Sequence, residues 1–222
     1  MKDPRNRQST ISSLHLAVRW VLGLAFILGL VAIFSDLVED VWFREGFAWD
    51  APIILAVHNL SRPWLDTAMR VLTNAGEAGA ISMALLAAVW FYRKGRKLDA
   101  VSMLVSLGGA TALNTLLKLL LRRPRPNLFP PLTLENSFSF PSGHVTASVA
   151  VFGFLAVLLW RSRRYGWAVC SAAWIPMVAF SRIYLGVHYP SDTLGALIFT
   201  SLWLMVVFAV HDRHTRSRKA IS

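Results

Sequence analysis

The chain has 222 residues, of which 55% are hydrophobic and only 16% are charged, and its formal net charge is +11. A soluble domain usually carries about 25% charged residues. The low charge and the positive mean hydropathy of +0.49 therefore exclude a disordered chain and a coiled coil. The single cysteine, Cys170, excludes a scaffold of intrachain disulfides.

Six apolar runs without charged residues follow one another along the chain and predict six transmembrane helices. They comprise residues 20–35, 78–92, 100–117, 145–160, 165–181 and 193–210. Each run has about 15 to 18 residues, close to the roughly 20 that a spanning helix needs once flanking residues are added. The expected fold class is all-α: a polytopic membrane protein whose residues 1–222 form a single membrane-embedded domain. We expect the first run to be retained as a span rather than cleaved as a signal peptide.

The segment between the first two runs is acidic and aromatic, and we expect it on the outer side of the membrane. Its carboxylates are Asp36, Glu39, Asp40, Glu45 and Asp50. Residues 52–60 and 64–72 predict one or two short amphipathic helices along the outer surface. A covering loop without lipid contact is an equally good alternative here.

Four basic clusters predict the orientation of the spans. They are Lys2, Arg5 and Arg7; Arg93, Lys94, Arg96 and Lys97; Arg161, Arg163 and Arg164; and Arg213, Arg216, Arg218 and Lys219. With six spans, all four clusters fall on one side, and basic short loops stay in the cytoplasm. We therefore expect cytoplasmic termini in an inner (plasma) membrane. The positive net charge then mainly reflects the orientation of the spans in the membrane. Binding of the same residues to anionic lipid headgroups is a secondary expectation, and no nucleic-acid partner is expected.

A fifth basic cluster breaks this pattern. Lys118, Arg122, Arg123 and Arg125 lie at the outer end of the third span, where the orientation rule disfavours cations. They either form a rim whose charges snorkel to the interface or bind an anion.

Two further segments at the same face carry groups that complement these cations. Ser142, Gly143 and His144 come directly before the fourth span. Ser142 is a good helix N-cap, the free N–H groups of a helix N-terminus suit phosphate, and Gly143 lets an anion approach the backbone. Taken alone, this segment is typical of an ordinary helix N-cap.

The second of these segments joins the fifth span to the sixth. It contains Arg182, and its His188 and Asp192 are four residues apart, so a helical or turn-like backbone brings them into contact. A carboxylate on one imidazole nitrogen fixes the tautomer and leaves the other nitrogen free to attack. Alone, the pair could simply cap a helix. Together, the three segments predict phosphoryl transfer through a phosphohistidine.

Acidic residues are too few between residues 118 and 192 for a two-metal centre. Only Glu135 and Asp192 occur there, whereas such centres need several oxygen ligands. We therefore expect no metal and no cofactor, with Lys118, Arg125 and Arg182 neutralising the transferred group.

The three segments match, in order, the motifs of a known family. Lys118-x6-Arg125-Pro126, Pro141-Ser142-Gly143-His144 and Ser181-Arg182-x5-His188-x3-Asp192 resemble those of the type 2 phosphatidic acid phosphatase (PAP2) superfamily. The motifs lie within residues 118–192. The six-span layout resembles the membrane-integral branch of that family, so the resemblance covers nearly the whole chain.

The resemblance implies a role for each motif residue. His188 would be the nucleophile, Asp192 would hold and polarise it, and His144 would be the general acid. The phosphoryl oxygens would be bound by Lys118, Arg125, Ser142, the Gly143 amide and Arg182. Arg122 and Arg123 lie outside the motifs, and we expect them to anchor to headgroups rather than to attract substrate.

The position of the site predicts a lipid substrate. A pocket just outside the hydrocarbon admits a phosphate whose lipid tail stays in the bilayer. The resemblance implies undecaprenyl pyrophosphate, phosphatidylglycerophosphate, phosphatidic acid or lipid A, and the motifs neither separate these lipids nor define the oligomeric state.

Three other functions stay open. They are a lipid phosphotransferase with a polyprenyl pyrophosphate donor, a non-enzymatic lipid-binding membrane protein, and a vanadate-dependent haloperoxidase. The last is disfavoured because such enzymes are typically larger and soluble. Outside the motifs, we expect Glu77 at the rim of the site and close helix contact at Gly108 and Gly109.

Overall fold

Helices make up the regular structure of the chain. The computed structural model describes the backbone of residues 4–221 and the side chains of residues 18–217, and no strand occurs between residues 4 and 221. The helices are α1 (Pro4–Phe43), α2 (Asp50–His58), α3 (Pro63–Arg93), α4 (Lys97–Leu121), α5 (Gly143–Ser148), α6 (Phe154–Arg161), α7 (Tyr165–Tyr184) and α8 (Pro190–Ile221). A π-helical turn, Val149–Gly153, joins α5 to α6.

Six helical segments within the described residues are long and apolar enough to cross a membrane. They are Val18–Phe43, Pro63–Arg93, Lys97–Leu121, Gly143–Arg161, Tyr165–Tyr184 and Pro190–Ser217. These segments contain the six predicted runs and confirm the all-α, six-span fold. The side chains of some predicted basic residues lie outside the described residues, namely Lys2, Arg5, Arg7, Arg218 and Lys219.

The first outer loop contains one separate short helix. Residues 52–60 largely coincide with α2, as expected. Residues 64–72 are also helical, but they form the beginning of α3 rather than a second short helix. Pro63 occupies the first turn of α3, a position that proline favours, and no proline interrupts the chain between that point and Arg93.

The fourth and sixth spans form the centre of the bundle. Half of the apolar window is buried in each, against 6% in the first span. Small side chains of α3 (Ala80, Ala84 and Ala88) pack in the same core cluster as Val145 and Phe154. The first span is peripheral, and its exposed apolar residues provide a surface for lipid.

Three chain segments meet at the end of the bundle where α4 ends and α5 begins, here called the outer end. The α4–α5 connection covers residues 122–142, and it is tied to the end of α7 by a hydrogen bond from Leu132 N to Leu185 O of 3.0 Å. Gly186 turns the chain between α7 and α8 with φ +73°, and a Cβ there would lie 2.5 Å from the Phe129 ring. Glycine therefore suits this position for both conformational and steric reasons.

Candidate active site

The outer end of the bundle contains a cavity of about 700 Å³ that gathers residues from all three predicted segments. Its lining includes Lys118, Arg125, Gly143, His144 and His188. Arg182 lies 3.4 Å from His144, and Asp192 lies 3.3 Å from His188. The fold thus brings residues separated by up to 74 positions into one site.

His188 is buried and bonded through both ring nitrogens. Its Nδ1 lies 3.3 Å from Asp192 Oδ2, and its Nε2 lies 3.3 Å from Arg125 Nη1. A guanidinium can only donate, so Nε2 accepts while Nδ1–H donates to the carboxylate. Burial, together with the charges of Arg182 and Arg125, lowers the pKa of His188 well below its ordinary value. The ring is therefore neutral, with a lone pair on Nε2.

The carboxylate of Asp192 is fully buried and held at both oxygens. Oδ2 accepts from the Tyr189 N–H at 2.8 Å and from the Ser139 hydroxyl. Oδ1 accepts from Arg123 Nη1 at 2.6 Å. With both oxygens anchored, the face that Asp192 turns toward His188 is fixed.

The imidazole of His144 lies in the first turn of α5, beside a carboxylate of α3. Its Nε2 is 3.0 Å from Glu77 Oε2 and 3.4 Å from Arg182 Nη1. Glu77 lines the cavity with a side chain that is 50% exposed, which fits the expected position on the rim. A protonated His144 paired with Glu77 is a suitable proton donor for a group bound in the cavity.

The predicted phosphate-binding cations surround a carboxylate from the α4–α5 connection. Glu135 Oε1 accepts from Arg182 Nη2, and Glu135 Oε2 lies 3.6 Å from Arg125 Nη2. Burial raises the pKa of the Glu135 carboxyl, but its pairing with Arg182 outweighs this and lowers it overall. Glu135 is thus an anion between two arginines. Lys118 Nζ donates to Phe138 O at 2.5 Å.

Two buried polar groups near these cations have no hydrogen-bond partner within the described part of the chain. They are the hydroxyl of Ser142 and Nε of Arg182. Ser142 occupies the N-cap of α5, but its side chain makes no capping bond, contrary to its expected role as a cap. Since buried polar atoms nearly always have partners, both groups are available to an oxyanion.

Comparison with known proteins identifies the family. The sequence model of the PAP2 superfamily matches residues 99–216. The chain belongs to the PAP2 superfamily. The matched range contains all eight predicted site residues and the last four of the six spans in whole or in part. The recognition made from three short motifs is thereby confirmed.

The PAP2 chain is similar to membrane phosphatases over most of its length. Phosphatidylglycerophosphatase B of Bacillus subtilis (strain 168) is 33% identical over 198 residues, which cover 85% of this chain and 91% of that protein. Undecaprenyl-diphosphatase BcrC of the same strain is 30% identical over 171 residues, covering 72% and 83% of the two chains.

A solved structure agrees with these relatives. The crystal structure of a transmembrane PAP2 type phosphatidylglycerolphosphate phosphatase from Bacillus subtilis matches with a TM-score of 0.72 and 29% identity, covering 84% of this chain and 96% of that one. The protein is therefore a multi-pass membrane phosphatase, as the sequence predicted.

One arginine of this PAP2 phosphatase lies elsewhere than its sequence position predicted. Arg123 was expected to anchor to headgroups, but it is 8% exposed and forms ion pairs with Asp50 and Asp192. Its neighbour Arg122 is exposed, and its Nε donates to Leu119 O at 3.0 Å. No spacing rule connects Arg123 with Asp50, because α2 and the end of α4 meet only in the folded bundle.

The described residues 18–217 contain no group of three or more His, Cys, Asp or Glu side chains arranged to hold a metal ion. The carboxylates at the site instead pair with Arg182, Arg123 and His144. The polar groups of the site are thus arranged as cation–carboxylate pairs and unpartnered donors, which suit an anionic ligand.

Proposed function

We propose that this PAP2 protein hydrolyses the phosphomonoester or pyrophosphate of a membrane lipid through a phosphohistidine at His188. The observation that carries this proposal is the bonding of the His188 ring. Asp192 accepts a hydrogen bond from Nδ1–H, which leaves the Nε2 lone pair at a cavity lined by cations. A neutral imidazole held in one tautomer is a competent nucleophile at neutral pH.

The reaction takes two steps. His188 Nε2 attacks phosphorus, the bond from phosphorus to the leaving oxygen breaks, and His144 gives that oxygen a proton. Asp192 stabilises the imidazolium character that develops on His188. A water molecule then attacks phosphorus while His144 takes its proton, and the bond from phosphorus to His188 Nε2 breaks. Phosphate leaves, and both histidines return to their starting states.

The transferred phosphoryl group carries negative charge, and the site supplies donors to neutralise it. Lys118, Arg125 and Arg182 provide positive charge, and the Ser142 hydroxyl and the Gly143 N–H provide uncharged donors. Glu135 now pairs with Arg182. We infer that the phosphate displaces this carboxylate when it enters the site.

The shape of the cavity supports a lipid substrate. Its wall continues from the polar groups to apolar side chains of two spans, Ile81 on α3 and Leu107 and Leu119 on α4. Ile81 and Leu119 are exposed on the lipid-facing surface. A lipid can therefore place its phosphate among the cations while its tail stays between the helices. The names of the two relatives support a class that includes lipid phosphomonoesters and polyprenyl diphosphates.

The distribution of charge supports an orientation for the protein. The basic loops between α3 and α4 and between α6 and α7 lie at the end of the bundle opposite the cavity. Because such loops stay cytoplasmic, the proposal places the protein in the plasma membrane with its site on the periplasmic or extracellular side.

Phosphate release by the purified protein tests the proposed function. The substrates are lipid monophosphates and diphosphates presented in detergent, with and without a metal chelator, and His188→Ala is the control. We expect release that the chelator leaves intact and that the variant loses almost completely. Retained activity in the variant, loss with chelator, or transfer of the phosphoryl group to another lipid instead of water would each refute the proposal.

A further inference from the structure

A buried chain of charges connects α2 to the predicted catalytic pair. Arg123 Nη1 donates to Asp192 Oδ1 at 2.6 Å, and Nη2 donates to Asp50 Oδ2 at 2.8 Å. The three side chains are 9%, 0% and 3% exposed, in the order Arg123, Asp192, Asp50. The guanidinium therefore bridges two carboxylates away from water.

The same charges hold the first turn of α8. Asp50 Oδ1 accepts from the Ser191 N–H at 2.9 Å, and Asp50 Oδ2 accepts from the Ser191 hydroxyl at 2.5 Å. Arg123 Nη1 also donates to Ser191 Oγ at 2.7 Å. The Tyr189 ring lies 4.1 Å from the guanidinium carbon. The arginine is thus fixed by hydrogen bonds at its edge and by an aromatic ring.

The planar fork of the guanidinium suits this bridge. Buried charges are costly unless each has a partner, and removing one partner leaves the other uncompensated. A lysine is a single charged point and cannot make two parallel contacts in the same way. Because Arg123 holds Asp192 Oδ1, the other oxygen, Oδ2, stays directed at His188 Nδ1.

We propose that Arg123 and Asp50 are positioning residues for the Asp192–His188 pair, an inference that rests on the proposed function. Neither residue lines the site cavity, so neither is expected to touch the phosphate. Arg123 orients the carboxylate and balances its charge. Asp50 holds Arg123 and fixes the turn that carries Asp192. Helix α2, outside the three motifs, thereby contributes to the chemistry.

The effect should fall on kcat rather than on KM. Loss of an outer partner that orients a metal-ligating side chain typically costs about 10- to 100-fold in activity, and we expect a loss of that order in kcat for Arg123→Gln. Arg123→Lys should recover only part of it. Asp50→Asn should lose less than Arg123→Gln because an amide oxygen still accepts from the Ser191 N–H.

Arg122→Gln is the matched control. It removes the same charge from the adjacent residue, but Arg122 is exposed and its Nε donates to Leu119 O in the helix that it terminates. We expect its kcat and KM for the lipid substrate to equal those of the unaltered protein.

The experiment measures kcat, KM and thermal unfolding for the Arg123, Asp50 and Arg122 variants, with His188→Ala alongside. A fall in kcat per folded molecule at nearly constant KM supports positioning. An unchanged kcat per folded molecule, or a rise in KM alone, overturns it. If Arg123→Gln does not fold, Arg123→Lys and Asp50→Asn decide by the same criterion.

The His188→Ala arm separates the two proposals. If that variant keeps its activity, the proposed function fails whatever the Arg123 variants do. If it is inactive while the Arg123 and Asp50 variants match the unaltered protein, only the positioning proposal fails.

Discussion

His188 combines a buried position with neighbours of both charges, and this determines how it responds to pH. Asp192 accepts a hydrogen bond from its Nδ1–H. Cationic or ionisable groups also surround the ring, namely Arg182, Arg125, Lys118 and His144. Burial first, and then these positive groups, lower the pKa of His188 well below its ordinary value of 6.5. The folded protein should keep this imidazole neutral as the pH falls through 6.5.

This predicts a specific titration. Histidine NMR, with the His188 signal assigned by comparison with His188→Gln, should show no protonation of His188 near pH 6.5. The unfolded chain does take up that proton below about pH 6.5, so the contribution of His188 to stability decreases as the pH falls below this value. A His188 signal that titrates at or above 6.5 would contradict the account.

The proposed general acid leads to a second prediction. A lipid alkoxide needs a proton as it leaves. A phosphate group that leaves from a diphosphate depends less on protonation. General acid catalysis typically contributes about 10²- to 10⁴-fold, so His144→Ala should lose about that much on a lipid monophosphate and clearly less on a lipid diphosphate. Measuring kcat on both substrates checks this, and equal losses would count against the assigned role.

Local spacing made part of the site predictable from sequence. His188 and Asp192 are four residues apart, which determines their contact once the chain turns into α8. Asp50 and Glu77 have no such relation to the motifs. Their contacts with Arg123 and His144 depend on how α2 and α3 pack against the other helices, and that information is not present in any short stretch of sequence.

At the scale of elements, adjacent glycines in α4 have different roles. A Cβ on Gly109 would lie 2.2 Å from the Trp203 ring of α8, whereas a Cβ on Gly108 would meet nothing within 4 Å. The sequence predicted close contact at both, but only Gly109 faces a neighbouring helix closely. Helical periodicity cannot specify which of two adjacent residues faces a partner until the packing angle is known.

The glycine pair gives a matched test of helix packing. Gly109→Ala should destabilise the bundle by about 1 to 3 kcal/mol, the usual cost of overpacking. Gly108→Ala should leave the stability unchanged or slightly raised, since alanine favours helix. Unfolding of both variants in detergent provides the measurement. Equal stability of the two would show that α4 and α8 are less closely packed than described.

For the whole molecule, the positions of the six apolar runs in the sequence were sufficient to predict the all-α, six-span fold. Each of the six runs lies inside an observed span because a bilayer requires long, uninterrupted helices. Where the second span begins was less predictable. Residues 64–72 have a helical pattern, and this pattern is the same for a separate surface helix and for the beginning of α3.

The orientation of the molecule can be tested by labelling in intact cells. In a Cys170→Ser background, Leu134→Cys lies in the α4–α5 connection at a residue that is 91% exposed. Ser162→Cys lies between α6 and α7, at the opposite end of the bundle. A membrane-impermeant maleimide should label the first directly and the second only after permeabilisation. The reverse pattern would place the site in the cytoplasm.

Trapping the phosphohistidine intermediate tests whether the phosphoryl group is transferred to His188 before it reaches water. Protein mixed with a labelled lipid phosphate, quenched in alkali and digested, should give a phosphorylated peptide containing His188. The adduct should be stable in alkali, labile in acid, and absent from His188→Ala. Release of labelled phosphate with no adduct at any time, or an adduct on another residue, would contradict the account.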